Sequence, residues 1–89
     1  MYKMLDFSKV VDFNKLPLVP ATALNMMQEI WEDMSVEDRQ KGITALRNDI
    51  DEMTTNDYII HNVENLQEHI NEMKEMQKAI AHMEEHLND

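Results

Sequence analysis

The chain reads as an all-α protein, a small helical bundle, and three observations lead there. A single glycine and two prolines in 89 residues leave little material for hairpin turns. Apolar residues recur at three- and four-residue steps through the middle and the last third of the chain, the spacing of a helix face. Where that spacing is interrupted, capping residues appear: Ser35, then the run Thr54, Thr55, Asn56 and Asp57. The length suits one domain, residues 1–89. The expected architecture is a short N-terminal helix, two medium helices and a long C-terminal helix that mediates oligomerisation.

Residues 1–20 form an N-terminal arm. Its charges alternate at every third position, Lys3, Asp6, Lys9, Asp12 and Lys15, which on a helix would make i,i+3 ion pairs. Met4, Phe7, Val10, Val11 and Phe13 would cover much of the remaining surface, and the stretch Phe7 to Phe13 breaks the period-two pattern of a strand. A short helix over Asp6–Asn14 is therefore expected. Leu16, Pro17, Leu18, Val19 and Pro20 should follow as an extended linker, because each proline disfavours helix in the residue before it. Pro20 also suits the first turn of the next helix.

That next helix, 21–34, carries Leu24, Met27, Ile30, Trp31 and Met34 at helical spacing. Ser35 restarts the chain, with Asp38 standing where a capping box has Glu. A helix over 36–53 follows, with Val36, Ile43, Leu46, Ile50 and Met53 on its apolar face. Gly42 inside it costs about 1 kcal/mol relative to alanine, so a close helix contact or a local bend is expected there.

The last element, 56–88, contains neither glycine nor proline. Ile59, Val63, Leu66, Ile70, Met73, Met76, Ile80, Met83 and Leu87 form a heptad-like seam with one phase slip, resembling a stammer, between Met73 and Met76. A helix of about 30 residues would run roughly 46 Å, whereas a compact domain of this size is only about 30 Å across. The overhang has to be covered by the N-terminal segment or by another chain. A homodimer or higher oligomer through the seam is the expected arrangement.

The charge constrains partners. Eighteen acidic residues against eight basic ones give a formal charge of -10, and phosphate neutralisation needs clustered Lys and Arg. Direct nucleic-acid binding and docking on an anionic membrane are both disfavoured. No apolar run is long enough to span a bilayer, and Asp6 and Asp12 interrupt any signal-peptide core, so a cytoplasmic protein is expected. Without cysteine there is no disulfide framework, thiolate zinc site or cysteine nucleophile. The charge is also uneven: residues 1–20 are slightly basic, and the acid lies on 21–54 and 55–89.

Few constellations carry chemistry. His82, Glu85 and His86 fit the spelling H-x-x-E-H of the inverzincin metallopeptidases, in which two histidines on one helix turn hold zinc. The further carboxylate ligand that family takes from a later helix has no counterpart in the three residues after His86. His82 and His86 remain weak metal candidates, and the plainer reading is that histidines suit a helix C-terminus. His61 and His69 read as flank positions, pH-sensitive if they meet at an oligomer interface. Asp49, Asp51, Glu52 and Asp57 resemble a calcium cluster but lack the glycine and register of an EF-hand. Ser35, Thr54, Thr55 and Thr22 fall at breaks or helix starts, where capping explains them. Trp31, Tyr58 and the helical methionines read chiefly as core, with an adaptable Met-rich groove as the alternative.

The acidic pattern is the main functional signal. Glu64, Glu68 and Glu72 form an i,i+4 column with Glu75 one step further, an arrangement that destabilises an isolated helix by about 0.2–0.5 kcal/mol per pair. Lys78 is well spaced to offset only Glu75. Locally unfavourable choices can mark a working surface; the plainer alternative is an acidic face that serves solubility alone. The expected function is a non-enzymatic, cofactor-free protein-interaction module, with Glu64, Glu68, Glu72 and Glu75 facing a basic partner that it sequesters or inhibits. Size and charge suit the small inhibitors carried by phages and mobile elements. Two alternatives stand beside it. One is a DNA or RNA mimic that blocks a nucleic-acid-binding protein. The other is an oligomeric bundle holding a small ligand or metal between protomers.

Overall fold

The computed structural model describes residues 4–89. Among them lie four α-helices, α1 (Leu18–Ile30), α2 (Val36–Met53), α3 (Asn56–Asn62) and α4 (Leu66–Glu85), and no strand. The all-α reading is thus the observed fold class. Helix α2 starts and stops where the sequence places it. Ser35 Oγ accepts from the Asp38 N–H at 3.0 Å, and Thr54 N–H closes the last turn onto the Ile50 carbonyl. Its inner face, Arg39, Ile43 and Leu46, is buried.

The expected continuous helix over 56–88 is instead two helices. Val63 is extended, with φ -105° and ψ 115°. Asn65 then opens α4, its side chain accepting from the Glu68 N–H at 3.1 Å. His69 Nε2 lies 2.8 Å from the Met53 carbonyl, and the Tyr58 ring stacks on the His69 imidazole at 5.9 Å. These contacts bind the start of α4 to the end of α2 and fold α3 back against it, an arrangement a straight helix could not reach. The break costs little locally because Asn65 caps the new N-terminus of α4 and the Val63 N–H closes the last turn of α3 onto the Ile59 carbonyl.

The break removes the overhang. Helix α4 is roughly 30 Å long at about 1.5 Å per residue, which fits a molecule measuring 40 × 24 × 18 Å. The seam is spent within the chain. Met73, Met76, Ile80 and Met83 are buried in the common core, Leu87 packs against it, and Ile59 and Val63 are half-buried. Leu66 and Ile70, at 55% and 39% exposure, are the uncovered end. The seam therefore mostly builds the monomer's core rather than a surface free for a second copy.

Helix α1 begins at Leu18, so 18–20 is helical and not part of the linker. Pro17 takes the cap position, with φ -58° and ψ 149°. Pro20 lies in the first turn, where a missing N–H leaves no hydrogen bond unmade. After Ile30 the chain tightens into a 3-10 turn, Trp31–Asp33, which seats Trp31 at 0% exposure. The α-helical part therefore ends short of the expected 34. Gly42 is a close contact: a methyl group there would overlap Met27 Cε and come within 3.8 Å of Met83 Cε.

The arm is not the expected helix over Asp6–Asn14 but a pair of 3-10 turns, Phe7–Lys9 and Phe13–Lys15. Asp6 Oδ1 accepts from the Ser8 N–H at 3.1 Å, and Asp12 Oδ1 accepts from the Asn14 N–H at 3.0 Å. Aspartate bonding two residues ahead competes with the helical ladder, which overrides the i,i+3 charge alternation. Lys3, the first member of that alternation, lies outside the described residues. Leu5, Phe7, Val11 and Leu16 enter the core, so the arm itself covers α4.

One acidic residue of the column anchors that arm. Glu75 is buried, accepts from the Asp12 N–H at 2.9 Å and pairs with Lys78 at 2.8 Å. The Lys78 hydrogen bond, then the Asp12 N–H, hold its carboxyl below the usual glutamate value despite burial. A depressed folded pKa means that the unfolded chain takes up the proton first. The contribution is complete above about pH 4.5 and is lost as pH falls through the folded value. Glu75→Gln should therefore be less stable than the wild type at neutral pH, and the gap should close as pH falls below about 4.5. Urea midpoints across that range check this, and a gap independent of pH would contradict it.

Candidate functional site

The four glutamates of the column separate into two environments. Glu75 is buried under the arm, as described, and is a structural anchor rather than a partner-facing group. Glu64 lies in the α3–α4 connection and not on a helix, while Glu68 and Glu72 sit on the first turns of α4. The break nevertheless keeps these three together: all of them line one open groove of about 340 Å³ between α3 and α4. Tyr58, Asn62, Asn65 and His69 supply its other polar lining, and no Lys or Arg does. Among the described residues, no cation forms an ion pair with Glu64 or Glu68. Glu72 has the His69 imidazole 4.0 Å away. Lys15 lies across a neighbouring depression that Glu68 and Glu72 also line, so the basic arm reaches the edge of this surface.

The histidines divide similarly. His69 is buried within the chain rather than at an interface, and His61 is exposed, 3.4 Å from Asp57. Among the described residues, His82, Glu85 and His86 form a three-residue cluster whose ligand-capable atoms lie within 4.8 Å of one another. The acidic residues Asp49, Asp51, Glu52 and Asp57 form no such cluster. The His82 and His86 rings meet edge to face at 4.8 Å, and Phe7 packs edge-on against His82 at 5.6 Å. Burial, followed by the neighbouring His86 charge, lowers the pKa of His82 and favours its neutral form. His82 Nε2 accepts from the Asp6 N–H at 3.3 Å, and His86 Nδ1 lies 2.5 Å from Asp89 Oδ2.

The residue that organises this end of the molecule is one the sequence reading passed over. Arg39 is 3% exposed and has no side-chain carboxylate among its hydrogen-bond partners. Its Nε and Nη2 donate to the Trp31 carbonyl at 3.0 and 2.7 Å. Its Nη1 donates to the carbonyls of His86 and Leu87 and to the main-chain oxygen of Asp89. Trp31 Nε1 also donates to the His86 carbonyl, at 3.1 Å. The ends of α1 and α4 thus converge on one guanidinium, whose positive charge their carbonyl dipoles favour. A signal was present: counting back from Leu46 and Ile43 by three and four residues puts Arg39 on the apolar seam of α2.

No protein-family model, curated protein or solved structure matches this chain. No helix among the described residues is long and apolar enough to cross a membrane.

Proposed function

We propose that the protein is a non-enzymatic interaction module that captures, and thereby inhibits or sequesters, a partner protein through an acidic groove. The observation that supports this is the convergence of Glu64, Glu68 and Glu72 on the groove between α3 and α4, with no Lys or Arg in its lining. Three carboxylates around one concavity raise the local negative potential and steer a basic surface into it. Glu75 is excluded from the set because its carboxylate is committed to Asp12 and Lys78.

The test is a capture experiment with the wild type and the triple variant Glu64→Lys, Glu68→Lys, Glu72→Lys as baits, at low and physiological salt. Partners held by the wild type should be lost by the variant at both salt concentrations, while far-UV circular dichroism stays unchanged because none of the three side chains is buried. Undiminished capture by a folded variant would remove the reading. Capture of many unrelated basic proteins, falling steeply with salt, would instead favour nucleic-acid mimicry.

A further inference from the structure

We propose that His82, Glu85 and His86 form a binding site for a divalent first-row transition ion, of which Zn²⁺ is the natural case. The site differs from the acidic groove and does not depend on its reading. The donor set, two imidazoles and a carboxylate, is the one such ions prefer, and hard ions such as Mg²⁺ do not. The three residues occupy i, i+3 and i+4 across the last turn of α4 and its C-cap, His86, which brings their side chains to one end of the helix together. Their ligand atoms lie within 4.8 Å of one another. Ligands about 2.1 Å from a tetrahedral ion are roughly 3.4 Å apart. Closing that gap takes only side-chain rotation by groups that are half-buried or exposed.

Three further features orient the site. His86 Nδ1 faces the Asp89 carboxylate at 2.5 Å. A carboxylate on one ring nitrogen is the usual outer partner of a metal-bound histidine, and it leaves Nε2 with its lone pair toward the ion. The backbone carrying His86 is fixed from below, since its carbonyl accepts from Trp31 Nε1 and Arg39 Nη1. The His82 ring is held edge-on by Phe7. Among the described residues its Nε2 is engaged only by the long bond from the Asp6 N–H, which the metal displaces or which is broken when the ring turns over. With three protein ligands, the ion keeps a solvent position.

The site is tested by titrating ZnCl₂ into the metal-free chain, followed by calorimetry, thermal unfolding and amide chemical shifts. We expect one ion per chain, a higher Tm with zinc, and a shift of the Asp6 amide resonance, 76 residues away in sequence from His82. Magnesium should give none of these. His86→Gln keeps the carbonyl that Trp31 and Arg39 need, so it should fold as the wild type yet bind zinc at least about tenfold more weakly, and Glu85→Gln should do the same. Absence of a zinc-dependent Tm rise in the wild type would overturn the proposal. So would an equal rise in the folded variant His86→Gln/Glu85→Gln.

Discussion

Replacing Arg39 by alanine should cost about 3 kcal/mol or more, a large share of the stability of a domain this small. The estimate rests on what the guanidinium holds. Charge-assisted hydrogen bonds contribute about 1.5–3 kcal/mol each, and a buried acceptor left without a donor costs about 1–3 kcal/mol. Arg39 makes two bonds to the Trp31 carbonyl and others to the three carbonyls beyond α4. The latter carbonyls lie near the surface and can recover water, so the individual values do not add. Arg39 also lies over the Trp31 ring, 4.9 Å from its centroid, a contact worth about 0.5–2 kcal/mol. For a domain of this length, the loss corresponds to a fall in Tm of roughly 12–24 °C. Lysine should rescue only partly, since one ammonium cannot span both helix ends as a planar fork does. Urea denaturation followed by far-UV circular dichroism measures all three proteins. A cost below about 1 kcal/mol for Arg39→Ala would mean that the convergent carbonyls are adequately served by water.

Arg39 also shows where a pattern of apolar residues misleads. Helix α2 was legible because local rules and tertiary packing agree: Ser35 caps it, and Ile43, Leu46 and Ile50 repeat at helical steps. The α3–α4 break was hidden because Ile59, Val63 and Leu66 keep the seam in phase through it. Apolar periodicity reports which face is buried, and it does not report whether the backbone between two buried residues stays helical. The available sign was Asn65 with Glu68 three residues on, a cap-and-acid pair within the run. The arm carried a clearer one in its repeated Asp-Phe-polar-Lys unit, residues 6–9 and 12–15, where each aspartate bonds two residues ahead. Charge spacing alone suggested helix there, because i,i+3 pairing is one of several uses for such acids. The i,i+3 spacing of Glu75 and Lys78 predicts their ion pair, which forms at 2.8 Å. That the pair is buried against Asp12 depends on the arm's path, and no local pattern states that path. The groove formed by Glu64, Glu68 and Glu72 follows from the same break: the column was visible in the sequence, and the concavity required α3 to turn away from α4.

Trp31→Ala should be as damaging as the loss of Arg39, at about 3–5 kcal/mol, the usual cost of emptying a large aromatic site in a core. Trp31 is fully buried, and its indole N–H is bonded to the His86 carbonyl at 3.1 Å. Trp31→Phe separates the two contributions. It keeps most of the apolar volume and loses the hydrogen bond, so it should cost about 1–2 kcal/mol. The two residues act on the same carbonyl, and Arg39 stacks on the indole. Their effects should therefore couple. The double variant Arg39→Ala/Trp31→Phe should be less destabilised than the two single variants together, by about 0.5–2 kcal/mol. Trp31 is the chain's single tryptophan, so its fluorescence follows unfolding of the wild type and the Arg39 variants directly. Circular dichroism serves the variants that lack it. Strict additivity would mean that Arg39 and Trp31 hold the ends of α1 and α4 independently. Coupling of the expected size would make the His86 carbonyl the shared point through which the C-terminal turn, and with it the His82–Glu85–His86 cluster, is fixed to the core.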